Sequence, residues 1–154
     1  MIQRIQSLYL LVVAALMAVA LFAPLAWFGG DAGEFRLHAF ALRALDGRTV
    51  QSAWYMGVLL AAACVLPLVT IFLFRRRMLQ LRLCVVEAVL LVGAAVMEGV
   101  YYFLGWRVFS GLAFHAQGLR PAIVLPLVCL LFVWLAARAV LRDELLVRAA
   151  DRIR

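Results

Sequence analysis

Four long apolar runs constrain what this chain can fold into more than any other feature of its sequence. A helix needs about 20 apolar residues to cross a hydrocarbon core about 30 Å thick. Each run reaches about that length and lacks Lys, Arg and Asp across its centre, as a membrane-spanning helix should. We therefore expect four transmembrane helices, at about residues 5–28, 54–74, 83–104 and 121–140.

The composition agrees with a membrane location. Of the 154 residues, 68% are hydrophobic and only 15% are charged. A soluble domain has about 45–50% apolar and about 25% charged residues. The apolar surplus cannot all be buried in one aqueous core, so part of it must face lipid.

Two other structures for these runs are excluded. Strands of a membrane barrel alternate apolar and polar residues, whereas the stretch 10–23 is apolar on every face of a helix. The first run also extends beyond the apolar core of about 7–15 residues in a signal peptide, so we expect a retained helix. The sequence predicts an all-α, integral membrane four-helix bundle that occupies residues 1–154 as a single domain.

The distribution of arginine predicts the orientation. Ten arginines fall on one side of the membrane and five on the other. By the positive-inside rule the richer side is cytoplasmic, so both termini are expected inside. The outer loops are then residues 29–53 and 105–120, and the cytoplasmic tail 141–154 extends the fourth helix. The arginines expected to set the topology and to contact anionic headgroups include Arg4, Arg75, Arg76, Arg77, Arg82, Arg138 and Arg142.

The outer loops carry weaker signals. The stretch 34–45 alternates partly between apolar and polar residues, which fits a short hairpin or a segment lying at the membrane interface. The dipeptide of Asp46 and Gly47 predicts a turn. Loop 105–120 contains three glycines and is expected to be flexible or re-entrant at its edge.

Two acids within the third run are the main candidate for a polar site. Glu87 and Glu98 are eleven residues apart. On a helix their directions around the axis differ by only about 20°, so they share one face, about 16 Å apart along the axis. An acid costs about 2.5–3.5 kcal/mol at mid-membrane on insertion scales, so both should face the bundle interior. They could form a proton or cation path. They could instead be packing devices, with Glu98 bound to Tyr101 or Tyr102 and Glu87 near Arg82 or water.

The other reactive side chains do not suggest catalysis. Cys64, Cys84 and Cys129 lie in or beside the apolar runs without a CxxC pair, and buried cysteine usually behaves as a small hydrophobe. His38 and His115 lie in outer loops at a spacing that fits no known metal-ligand motif. No motif for a hydrolase, a nucleotide site or a zinc protease is present. We therefore expect no enzymatic activity, no cofactor and no metal.

Small residues at a spacing of four predict close helix approach. Gly57 and Ala61 form one such pair in the second run, and Ala95 and Gly99 form another in the third. We expect them to serve packing within the bundle rather than an oligomer.

Three stretches of the sequence together resemble a known family. They are residues 1–11 (MIQRIQSLYLL), 79–84 (LQLRLC) and 143–154 (DELLVRAADRIR). They resemble the domain-of-unknown-function family 4293, which comprises small four-helix membrane proteins typical of Bacteroidetes. The resemblance implies location and topology rather than an activity. A bacterial origin also fits the absence of Lys and Asn beside abundant Ala, Arg and Leu.

These observations favour a non-enzymatic protein of the bacterial inner membrane, acting as an accessory or structural subunit of a membrane complex. The alternative is a small transporter or channel that uses Glu87 and Glu98. The expected partners are the bilayer, with anionic headgroups on the cytoplasmic side, and a membrane protein or further copies of the chain. Because the arginines flank apolar runs, we expect no nucleic acid partner.

Overall fold

The computed structural model describes residues 2–30, 33–73, 76–109 and 114–151. These described residues form four helices, five strands and a single turn of 3-10 helix at Pro121–Val124. The helices are α1 (Ile2–Phe22), α2 (Trp54–Phe72), α3 (Arg77–Phe109) and α4 (Leu125–Asp151); the strands are β1 (Ala26–Gly30), β2 (Gly33–Leu37), β3 (Ala41–Ala44), β4 (Thr49–Ser52) and β5 (Phe114–Leu119).

The four helices form a closed bundle. Each helix packs against its neighbours in the chain, and α1 also packs against α4, which completes the ring. All four are long and apolar enough to cross a membrane, with mean hydropathy between 2.1 and 2.4. The chain is therefore a multi-pass membrane protein. The buried core runs along the inner faces and includes Leu10, Val13, Met17, Leu60, Leu91 and Val133.

The helix boundaries differ from the predicted ones mainly in α1. It ends at Phe22 rather than near residue 28, and Trp27 and Phe28 belong to β1. Pro24 explains the early end, because proline lacks a donor and disfavours helical geometry in the preceding residue. Helix α3 is longer than predicted at both ends. The predicted extension of α4 into the tail 141–154 is confirmed as far as Asp151, and residues 152–154 lie outside the described part of the chain.

The prediction of an all-α fold is wrong in one respect, because the segments outside the helices form a five-stranded antiparallel sheet. Its strand order is β4-β3-β2-β1-β5. The sheet lies at the end of the bundle where α1 ends and α4 begins, which we call the sheet end. The opposite end, where α1 begins and α4 finishes, is the terminal end.

Alternation of side chains explains why these segments form strands. Phe28, Phe35 and Leu37 point toward the bundle, and Phe28 and Leu37 are completely or almost completely buried. Arg36 and Arg43 point away from it, directly opposite each other on β2 and β3. The hairpin predicted within residues 34–45 is confirmed as β2–β3.

Of the two predictions made for the loops, one is confirmed and the other holds only in part. The turn predicted at Asp46 and Gly47 is confirmed, and Gly47 has a φ of +86°, a conformation that favours glycine. Loop 105–120 is only partly a loop. Its first residues continue α3 to Phe109 and its last form β5, which pairs with β1, whereas residues 110–113 lie outside the described part of the chain.

Two aromatic rings attach the sheet to the helices. Phe28 is fully buried, and its ring centroid lies 5.5 Å from that of Tyr102 on α3. A Cβ on Gly105 would come within 3.1 Å of the Phe28 ring. Phe40, in the three-residue connection between β2 and β3, occupies the space beside Gly57 on α2. The small size of Gly57 thus makes room for the side chain of Phe40. The small-residue pattern had predicted contact with another helix instead.

Candidate functional site

The inner face of α3 carries the predicted acids. Glu87 and Glu98 are each 1% exposed, as their shared helix face predicted. Leu91 and Ala94 lie between them on that face and are fully buried. A spacing of alternately four and three residues keeps all these positions on the side of α3 that faces the bundle. The predicted burial of the two acids is confirmed.

Neither acid is satisfied by a hydrogen bond. Both carboxylate oxygens of Glu87 and of Glu98 are buried, and none accepts a bond from another described residue. Tyr101, which is partly buried against the core, does not donate to Glu98, and Arg82 is exposed rather than directed at Glu87. Buried polar groups are almost always paired. The predicted hydrogen bonds from Tyr101 or Tyr102 to Glu98, and from Arg82 to Glu87, are therefore not formed among the described residues.

Glu87 lies where all four helices meet. Its carboxyl is close enough to the thiols of Cys64, Cys84 and Cys129 to interact electrostatically with each. Cys64 Sγ donates to the carbonyl of Ala14 at 3.6 Å, and Cys129 Sγ donates to that of Val13 at 3.8 Å. The thiols of Cys64 and Cys129 thus bond to the backbone of α1, and neither donates to the carboxyl of Glu87.

The prediction that the cysteines are small buried groups holds for Cys84 and Cys129, whereas Cys64 is only partly buried. Their convergence on Glu87 was missed. It depends on how α2, α3 and α4 face one another, and the spacing of cysteines along the chain carries no such information.

The two acids occupy separate positions. A separation of eleven residues corresponds to about 16 Å along the helix, and the apolar side chains of Leu91 and Ala94 fill the interval. Neither the cleft beside Trp27 nor the groove between α1 and α4 is lined by Glu87 or Glu98. Each carboxyl can take up a proton or a cation, but transfer between them requires water to enter the bundle.

The terminal end carries the arginines assigned to topology. Arg76, Arg82, Arg138 and Arg142 are exposed there. The side chains of Arg4 and Arg77, and the whole of Arg75, lie outside the described part of the chain. At the same end, Gln6 Nε2 donates to Asp143 Oδ2 at 3.2 Å and joins α1 to α4.

The sheet carries a second polar cluster, made of Arg36, Arg43 and His38. The two arginines are directly opposed and both exposed. Glu34 lies 3.7 Å from Arg36, whereas Arg43 forms no ion pair with another described residue. The pKa of His38 is lowered by burial and then by the positive charges of Arg43 and Arg36. The surface around these residues is therefore electropositive.

The lowered pKa of His38 predicts a pH dependence of stability. The unfolded chain binds the proton more tightly, so folding stability is constant above the unfolded pKa of about 6.5 and decreases as pH falls toward the folded value. We expect the wild-type protein in detergent to lose more thermal stability between pH 7 and pH 5 than His38→Gln does. An equal loss in both proteins would assign the dependence to other groups.

A metal site is not formed by the described side chains. Across those residues, no group of three His, Cys, Asp or Glu is arranged to hold a metal ion. Asp31 and the side chain of His115 lie outside that part of the chain.

Comparison with known proteins gives one family. The family model with the description "Domain of unknown function (DUF4293)" matches residues 2–153, almost the whole chain. None of the curated proteins compared with the chain matches it.

Proposed function

Because the chain belongs to the DUF4293 family, whose description specifies no activity, we propose from its physical features that it is a non-enzymatic accessory subunit of a membrane complex. In this proposal the five-stranded sheet binds an acidic segment of a partner membrane protein. The protein lies in a bacterial inner membrane with the terminal end in the cytoplasm. The excess of arginines on that side, ten against five, supports this orientation.

The cross-strand pair of Arg36 and Arg43 is the observation that carries the proposal. Like charges directly opposite in a sheet are destabilising. Glu34 compensates only Arg36, and the field of both arginines reaches His38. A carboxylate from a partner would relieve this repulsion and could bind both guanidinium groups. The cluster is thus suited to an acidic ligand.

The sheet also offers a way to bind a polypeptide. Strands β4 and β5 are its edges, and neither pairs with a further described strand. Exposed edges are binding sites for an added strand. An acidic segment paired along the free edge of β4 would lie one strand away from β3, so its carboxylates would reach Arg43 across β4.

Charge reversal at Arg43 tests the proposal. Wild-type protein extracted in mild detergent should recover a stoichiometric partner, and Arg43→Glu should lose it. That variant places a carboxylate opposite Arg36, so the sheet itself should be as stable as before or slightly more stable. Arg48→Glu is the matched control, because Arg48 is highly exposed and paired with Asp46 at 3.4 Å. Recovery of the wild-type protein alone, or equal binding by both variants, would contradict the proposal.

A second candidate function is proton or cation transport through Glu87 and Glu98. The absence of a hydrogen-bond partner at both carboxyls, within the described residues, favours it over a packing role. Ionisable groups inside a membrane are expensive and usually functional. In proteoliposomes, Glu87→Gln with Glu98→Gln should abolish any flux, whereas the exposed control Glu34→Gln should retain it. A flux unchanged by the double substitution would remove the acids from the mechanism.

A further inference from the structure

A groove between α1 and α4 lies at the terminal end of the bundle. It has a volume of about 540 Å³ and is lined by Ile5, Tyr9 and Leu135 on its apolar side. The stretches that are long and apolar enough to cross a membrane begin at Ile5 in α1 and finish in α4 at Leu146, which also lines the groove. In the orientation proposed above, the groove lies near the boundary between hydrocarbon and cytoplasmic headgroups. We call it the α1–α4 groove.

Two arginines form the polar side of the α1–α4 groove. Arg138 and Arg142 are four residues apart, so their side chains project from the same face of α4. Neither forms an ion pair with another described residue. The guanidinium of Arg138 lies 5.4 Å from the ring centroid of Trp134, a cation–π contact that holds it at the surface of the helix.

The walls of the groove are held in place without a ligand. The hydrogen bond between Gln6 and Asp143, at 3.2 Å, joins the two helices next to Ile5 and Arg142. Tyr9 is also fixed, since its ring centroid lies 6.3 Å from that of Phe132 on α4. A preformed site avoids the cost of ordering the protein on binding.

We propose that the α1–α4 groove binds one anionic glycerophospholipid of the adjacent leaflet. The phosphodiester is bound by Arg138 and Arg142, and the first part of an acyl chain lies against Ile5 and Leu135. Arginine matches phosphate oxygens with paired hydrogen bonds. Basic pockets between membrane helices are suited to anionic headgroups. This site is independent of the partner surface proposed on the sheet.

The combination of features selects a lipid over other ligands. A soluble anion would gain nothing from the apolar wall. A zwitterionic headgroup would bring its own cation to two arginines that have no ion-pair partner among the described residues. The volume of about 540 Å³ suits a headgroup with the start of a chain. An anionic phospholipid uses both the charged and the apolar side of the groove.

Binding of phosphatidylglycerol and phosphatidylethanolamine to the purified full-length protein in detergent tests the proposal, with native mass spectrometry as the readout. Wild-type protein should retain phosphatidylglycerol preferentially. Arg138→Gln with Arg142→Gln should weaken that binding roughly thirtyfold, on the basis of about 1 kcal/mol for each arginine near a membrane surface. The matched control, Arg36→Gln with Arg43→Gln, removes the same charge from the sheet and should bind as the wild type does.

A second variant tests the apolar side without a change of charge. Ala139 lines the groove, so Ala139→Leu should fill it and weaken phosphatidylglycerol binding while both arginines remain. If the arginine variant does not fold, this variant decides the question. Equal binding of the two lipids, equal loss in both double-arginine variants, or unchanged binding by Ala139→Leu would each overturn the proposal.

Discussion

Glu87→Met is expected to stabilise the folded bundle by about 2 kcal/mol, an unusual direction for a substitution in a buried core. Methionine is close to glutamate in volume and removes a polar group that has no hydrogen-bond partner among the described residues. Burying an unpaired polar group costs about 1–3 kcal/mol in proteins, and replacement of buried ionic groups by apolar ones is often stabilising. Unfolding in mixed micelles of mild detergent and dodecyl sulfate measures the change.

The control for this substitution is Glu34→Met, because Glu34 is exposed on the sheet. Its effect should stay within about 0.5 kcal/mol, as for most surface changes. A loss of stability in Glu87→Met would show that the membrane-embedded protein holds Glu87 with water or an ion. A gain in stability together with a loss of cellular function would show that Glu87 is retained for what it does rather than for folding.

Gly57→Leu is expected to destabilise the protein by about 3 kcal/mol, the upper part of the range for overpacking. A Cβ at this position would overlap the ring of Phe40, with Phe40 Cγ at 2.8 Å. The side chain cannot be accommodated unless the Phe40 ring leaves its position against α2 or the β2–β3 hairpin moves away from α2. Thermal unfolding in detergent measures the loss.

Gly99→Leu is the matched control for Gly57→Leu. Gly99 lies on an exposed face of α3, and a Cβ there would meet nothing within 4 Å. Leucine is a better helix former than glycine by roughly 1 kcal/mol, so this variant should be neutral or more stable. Phe40→Ala combined with Gly57→Leu should recover part of the loss. Equal stability of the two single variants would show that the hairpin does not rest on Gly57.

The sequence was sufficient to predict the helices because each apolar run is constrained by the thickness of the bilayer. The start of α2 at Trp54 and the shared face of Glu87 and Glu98 follow from length and periodicity alone. The sequence also contained the signal for the end of α1, because Pro24 disfavours a helix there. The predicted helix ran on to residue 28 because Trp27 and Phe28 are apolar, although they belong to β1.

The sheet could be predicted only in part because its pairing is non-local. The β2–β3 hairpin depends on neighbouring residues and its alternation is visible. Strand β1, in contrast, pairs with β5 from the other loop, where Ala26 faces Leu119, 93 residues further along the chain. Likewise, the unpaired state of Glu87 depends on the three helices around α3. The pair Ala95 and Gly99 illustrates the same limit, because Gly99 faces outward rather than into the bundle.

The pairing of β1 with both β2 and β5 makes the two ends of the bundle mechanically unequal. Backbone hydrogen bonds between β1 and β5 tie the end of α1 to the start of α4 at the sheet end. Side-chain contacts such as Gln6 with Asp143 are weaker and easier to replace by water. Separation of α1 from α4 would therefore begin at the terminal end and widen from there. Solvent would reach Glu87 before Glu98, so the two carboxyls would exchange protons with water in a fixed order.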